Sequence, residues 1–268
     1  LIVKLCNTTQ NMAAGIEEPC NRFMYDQVRK WKDVAKNLFV WEYTITFDKQ
    51  TMGLPFANEL HFANKLRHYA DNGVMGLLIE HEHMEQGGLY DVKYHLLAKL
   101  LENPYLDGEK LIVDTFRRYF GPVAGEKVLD LRRYFDRIRR ERDGVVTWGL
   151  LASEYAYVEE ADITYMARRW EEAEQAVRDD PKLLQRVRRG RIGFDRLMKI
   201  RQAYLACRKP AEKGVSEMPF VSCAASDVTY RLAGEATAVV DDPEASTGRA
   251  IRIPFQPGMV EPPFPIGV

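Results

Sequence analysis

The sequence predicts an α/β protein: the C-terminal part of a (β/α)8 TIM barrel, then an α-helical region and the start of a β-sandwich domain. Three observations carry this expectation. Short apolar runs alternate with amphipathic helical patterns, giving about three βα units at a spacing of about 35 residues, as right-handed βαβ units of a parallel sheet do. From Asp107 onward strand signals give way to helical periodicity. After Pro210 short β-type runs return, separated by Asp, Pro and Gly. Because a closed barrel takes eight strands, the missing ones are expected before Leu1.

Each element has its own local reason. Residues 1–5 form the first β-type run, and Asn21 stands where it can cap a helix carrying Phe23, Met24, Val28, Trp31 and Val34 on one face. Leu38, Phe39, Val40 and Trp41 make the second run. After the loop with Gly53 and Pro55, a helix bears Leu60, Ala63, Leu66 and Ala70 and closes at the Asn72-Gly73 turn. The third run, residues 74–79, is apolar almost throughout, as expected of a parallel strand covered on both faces. A helix with Leu89, Val92, Leu96, Leu97, Leu100 and Leu101 follows. Asp107 caps the next helix, Gly121 stops it, and Pro122 opens another. Further helices are expected over residues 159–177 and 181–207, the second announced by Asp180 and Pro181.

The expected domains are therefore residues 1–105 for the barrel units, 106–209 for the helices, 210–224 for a linker and 225–268 for the truncated β-domain, with runs at Val228-Thr229-Tyr230 and Ala250-Ile251-Arg252-Ile253. Nearly balanced charge, 38 basic against 39 acidic residues, speaks against a nucleic-acid partner. No run approaches the roughly 18 apolar residues of a membrane span, so no membrane partner is expected. The chain opens without an initiator Met or a leader pattern, so it reads as beginning inside a fold; an extracytoplasmic location is expected, with any signal region outside this chain. Cys6 and Cys20 flank one loop, as a disulfide or as free thiols. No cofactor is expected, and oligomeric state is left open.

In a parallel barrel the chemistry sits at the C-terminal strand ends, so polar residues just after each apolar run are the candidates. Glu42, bracketed by Trp41 and Tyr43, is the sharpest: a carboxyl between aromatics at the mouth can have its pKa raised, and sugars can stack beside it. A structural ion pair is the competing reading. Glu80 and Glu82 follow, since glycoside hydrolysis uses two carboxyls across the sugar; plain loop carboxylates are the alternative. His81 and His83 suggest substrate hydrogen bonding or, more weakly, a metal site lacking further ligands. Asn7 and Asn11 complete the substrate-binding set with Trp41 and Tyr43. The arginines from Arg132 to Arg142, interleaved with acids, read as a solvated helix face, and Trp148 and Trp170 as packing residues, although Trp148 follows a Gly-bearing loop and could reach a cleft.

Three motifs add a resemblance: Tyr69-Ala70-Asp71-Asn72-Gly73-Val74-Met75-Gly76, Tyr94-His95-Leu96-Leu97-Ala98-Lys99-Leu100-Leu101-Glu102-Asn103-Pro104 and Phe116-Arg117-Arg118-Tyr119-Phe120-Gly121. With Trp41-Glu42-Tyr43 in place of that family's usual Trp-Asp-Tyr, residues 1–135 resemble the bacterial domain of unknown function 4838 (DUF4838), a glycoside-hydrolase-like barrel. The strands are more distantly similar to α-glucuronidases acting on xylan fragments. That resemblance implies a water-activating role for Glu42, a partner acid where Asn11 now stands, and a general acid on an earlier strand outside this chain. The tail around Val239-Val240-Asp241-Asp242-Pro243-Glu244 is similar to the opening of a carbohydrate-binding sandwich. The function so implied is a glycoside-hydrolase-like protein acting on a carbohydrate, possible substrates being uronic-acid or hexosamine glycosides. The alternatives are a non-catalytic polysaccharide-binding protein and a metal-dependent barrel hydrolase.

Overall fold

Strand and helix alternate three times from the N-terminus: β1 Val3–Cys6, α1 Arg22–Lys32, β2 Leu38–Tyr43, α2 Phe62–Asp71, β3 Val74–Glu80 and α3 Tyr90–Glu102. A computed structural model of the chain describes residues 1–47, 51, 53–81, 89–149, 152–208, 238–241 and 249–252. The strands are parallel, in the order β1-β2-β3, with Cys6 beside Trp41 and Tyr43 beside Glu80. Helices α4 Gly108–Phe120, α5 Pro122–Glu141, α6 Glu160–Ala176 and α7 Pro181–Arg208 follow. The protein is thus mixed α/β, mostly helical with a small parallel sheet. Neither a closed eight-stranded barrel nor a sandwich is seen among the described residues.

The chain divides into two units, Leu1–Ala203 and Tyr204–Val268. In the second, β4 Ala238–Asp241 and β5 Arg249–Arg252 pair as an antiparallel hairpin. The expected run at Val228-Thr229-Tyr230 and the expected linker lie outside the described residues.

Local signals set the helix ends. The Asp107 carboxylate accepts from Lys110 N at 3.0 Å, Gly121 takes φ 89° between α4 and α5, and Glu159 with Asp162 forms a capping box at α6. Asn21 precedes α1 but does not cap it with its side chain, which donates instead to the carbonyls of Asn11, Ala14 and Gly15. On α1 only Met24 and Val28 are buried; Phe23 is exposed, and so is Val34, which lies beyond the helix end.

The two faces of the sheet differ, and this positions the site. Leu38, Val40 and Glu42 of β2 turn toward α2, whereas Phe39, Trp41 and Tyr43 turn the other way, as the two-residue period requires. Lys4, Cys6, Gly76, Leu78 and Glu80 share that second face by register. A Cβ on Gly76 would meet the Phe39 ring at 2.3 Å, so a glycine is needed there. β3 is not covered on both faces: Leu78 lies on the open side and is exposed, and Met75 is the extra residue of a bulge, since Leu38 pairs with Val74 but Phe39 with Gly76.

Candidate functional site

Glu42 faces away from the open side of the sheet. It is 2% exposed, and its carboxylate accepts from Asn7 Nδ2 at 3.0 Å, Tyr43 N at 3.0 Å, Tyr69 Oη at 2.5 Å and Gln10 Nε2, with Lys65 Nζ at 3.5 Å. Lys65 also donates to Gln10 Oε1 at 2.9 Å. A carboxylate offers about four lone-pair positions, and all are taken by protein donors. Burial, then the charge of Glu42 and the bond to it, push the Tyr69 hydroxyl well above its ordinary pKa. The expectation that Glu42 opens to the barrel mouth is therefore corrected: it is the centre of a buried network beneath α2, and a general base needs access to the proton it removes.

Asn7 and Asn11 are corrected likewise. Asn7 is buried against Glu42 and Tyr69, with its Oδ1 left without a partner. Asn11 is spent on backbone groups, as a donor to Gly144 O at 2.8 Å and an acceptor from Val146 N at 3.0 Å. Both side chains are buried.

Trp41, Tyr43 and Glu80 do meet on the open face. Tyr43 stacks on Trp41 at 6.1 Å between ring centroids and on Trp148 at 6.2 Å, with Phe47 edge-on at 5.8 Å. Trp148 and Phe47 are the exposed members, at 43% and 39%. The Tyr43 hydroxyl lies 3.4 Å from Cys6 Sγ. That contact, then burial, then the Cys6, Glu80 and Glu42 charges push its pKa up to about 12, so it stays a neutral hydrogen-bonding phenol. Lys4 Nζ sits 5.6 Å over the Trp41 ring. Both Cys6 and Cys20 are free thiols.

His81 stands beside this cluster. Its Nδ1 is 2.8 Å from Thr44 Oγ1, and its ring stacks on Tyr90 at 5.4 Å. Glu82 and His83 lie outside the described residues. Among the described residues no group of three or more His, Cys, Asp or Glu is arranged to hold a metal ion, and no helix is long and apolar enough to cross a membrane.

The family model for the domain of unknown function DUF4838 matches residues 1–136. The chain belongs to this family. No curated protein and no solved structure matches it. The DUF4838 segment spans the three βα units, α4 and most of α5, so it carries Glu42 and its partners, Trp41, Tyr43, Phe47 and Glu80. Trp148 comes from beyond it.

Sequence reasoning missed several residues of this DUF4838 chain. Lys65 and Tyr69 sit at i and i+4 with Leu66 on the buried face of α2, and a lysine at such a position is itself a signal for a buried acid. Arg132 is the larger miss: it is 1% exposed, not solvated, and grips Glu59 at 2.5 and 2.9 Å and Phe56 O at 2.6 Å. Arg139 is buried too, on Asp136 and Glu18. Glu59, Phe56 and Glu18 lie on distant segments, and the interleaved acids near Arg132 in sequence are not the ones it uses, whereas Arg139 also holds its neighbour Asp136.

Proposed function

We propose that this chain is the C-terminal part of a glycoside-hydrolase-like (β/α)8 barrel whose strand-end face binds a carbohydrate. The observation that carries the reading is the aromatic cluster of Trp41, Tyr43, Phe47 and Trp148 at the C-terminal ends of parallel strands, with Glu80 on the same face. Aromatic faces present apolar area to the C–H side of a sugar ring, while a carboxylate and a neutral phenol bond its hydroxyls. Parallel strands deliver such side chains to their C-terminal ends. In a hydrolytic reaction Glu80, not Glu42, is the strand-end carboxylate among the described residues that would face the sugar.

A second reading, binding without turnover, is favoured by one observation: the two positions that the α-glucuronidase likeness assigns to catalysis, Glu42 and Asn11, are both committed to internal bonds. The test is calorimetric titration of uronate, hexosamine and neutral oligosaccharides, with turnover followed in parallel. Trp148→Ala is expected to weaken binding by about tenfold, equivalent to about 1.4 kcal/mol. Glu80→Gln is expected to keep binding and abolish any turnover. Absence of binding to every glycan by the wild type would overturn the proposal; binding without turnover selects the second reading.

A further inference from the structure

We propose that Asn11 is a positioning residue of the strand-end site and that it acts through Trp148, latching residues 144–148 across the loops that follow β1 and β2. The effect on ligand rests on the carbohydrate reading above, whereas the latch itself stands apart from it.

Residues 144–148 belong to no helix or strand, so their backbone groups need partners from elsewhere. Asn11 supplies two of them with one side chain: Nδ2 donates to Gly144 O at 2.8 Å, and Oδ1 accepts from Val146 N at 3.0 Å and from Ala13 N at 3.2 Å. Met12 N donates to Val146 O at 2.7 Å, and Phe47 N donates to Trp148 O at 2.9 Å. The strap is thereby sewn to both loops, and Asn11 is itself pinned, its N–H donating to Asn21 Oδ1 at 2.7 Å and its carbonyl accepting from Asn21 Nδ2 at 3.0 Å.

The chemistry at position 11 is specific to an amide. An aspartate there would still accept from Val146 N and Ala13 N but would set a second oxygen against the Gly144 carbonyl. The residue that family likeness reads as a lost acid is an amide because it serves both a donor and an acceptor of the strap.

The other side of the strap is equally constrained. The chain leaves α5 through Asp143 at φ 50°, in the left-handed region that Asp tolerates, and a Cβ on Gly144 would meet the Tyr157 ring at 2.5 Å. Val146 is wholly buried. Held from both sides, the strap ends in Trp148, stacked on Tyr43, which is left 8% exposed. Trp148 is itself exposed, so it is open to a ligand at this face. Because the strap follows residue 136, this wall of the site is built by sequence outside the matched family segment.

The test uses the full chain with Asn11→Asp, Gly144→Ala and Trp148→Phe. The near-ultraviolet circular dichroism difference between wild type and Trp148→Phe defines the signal of the stacked indole. Asn11→Asp is expected to lose most of that signal with an unchanged far-ultraviolet spectrum. Gly144→Ala, which displaces the strap from the Tyr157 side without touching Asn11, is expected to lose it as well. With chitohexaose and hexagalacturonate as probes, Asn11→Asp should weaken whichever is bound by about tenfold, and adding it to Trp148→Phe should cause no further loss. Retention of the indole signal in Asn11→Asp, or an affinity loss that adds to that of Trp148→Phe, would overturn the latch. If Asn11→Asp does not fold, the Gly144→Ala signal decides, and its retention refutes the proposal. If the wild type binds neither probe nor any glycan of the wider panel, the carbohydrate reading fails and the indole signal alone judges the latch.

Discussion

Replacing Glu42 by Gln keeps the shape of the side chain and removes its charge, and the groups around it set the cost. The least costly placement puts the new NH2 group at the Oε2 position. There the Tyr69 hydroxyl can turn to accept, and a flip of the Asn7 amide brings round its Oδ1, which now has no partner. The hydrogen bonds can thus be rebuilt, and the dominant cost is the Lys65 ammonium, 5% exposed at its side chain and 3.5 Å from the oxygen that loses its charge. Removing one partner of a buried ion pair costs about 3–5 kcal/mol, and the repaired bonds place this case near about 3 kcal/mol. At about 2–4 °C per kcal/mol for a unit of this size, the melting temperature should fall by about 10 °C. Denaturant and thermal melts of Glu42→Gln measure this, with glycan affinity of the folded protein measured in parallel and expected to stay unchanged. Adding Lys65→Met should recover most of the loss, since the stranded charge is then gone. A Glu42→Gln protein as stable as wild type, or one of wild-type stability that has lost turnover, would refute the structural role assigned to this residue.

Other outcomes rest on the same geometry. Arg132→Met should cost about 3–5 kcal/mol in denaturant melts, because Glu59 would stay buried without its bidentate partner. Acid should destabilise the protein. Burial raises Glu59 and Asp136, but Arg132 acting on Glu59, and His61 with Arg139 acting on Asp136, outweigh it and hold the two carboxyls below their ordinary values of 4.5 and 3.8. Their contribution is full above those values and is lost as pH falls through the folded-state ones, so melting temperature should drop steeply below about pH 4. His68, pushed below 6.5 mainly by burial, binds its proton more readily in the unfolded chain, so an earlier loss should begin as pH falls below that value and vanish in His68→Gln. Gly73 has φ 72°, and a methyl group there would meet nothing within 4 Å, so Gly73→Ala should cost only the backbone strain, about 1–2 kcal/mol by thermal melt.

Much of the fold was legible because its signals are local. The three βα repeats, the Asp107 cap, the Gly121-Pro122 break and the start of α7 at Pro181 each follow from a few neighbouring residues. That Trp41 and Tyr43 share one face was legible, because alternation along a strand places them together. The direction of that face was not. In Leu38-Phe39-Val40-Trp41-Glu42-Tyr43 both sets of alternate positions are largely apolar, so the pattern leaves open which set lies under the helix. Glu42 took its prominence from two aromatic neighbours that point the opposite way. Trp148 was read as a packing residue because its partners, Tyr43 and Phe47, are about a hundred residues earlier.

The sequence by itself determined the order of the first three βα units, several helix ends and the family, all of which depend on spacing and on residues close in the chain. Only the tertiary structure decided that Glu42 is buried, where Arg132 finds its partner, and which backbone groups Asn11 holds. Burial and long-range pairing arise when segments far apart are brought into contact, and an acid that receives a lysine and four donors becomes an anchor whatever residues flank it in the chain.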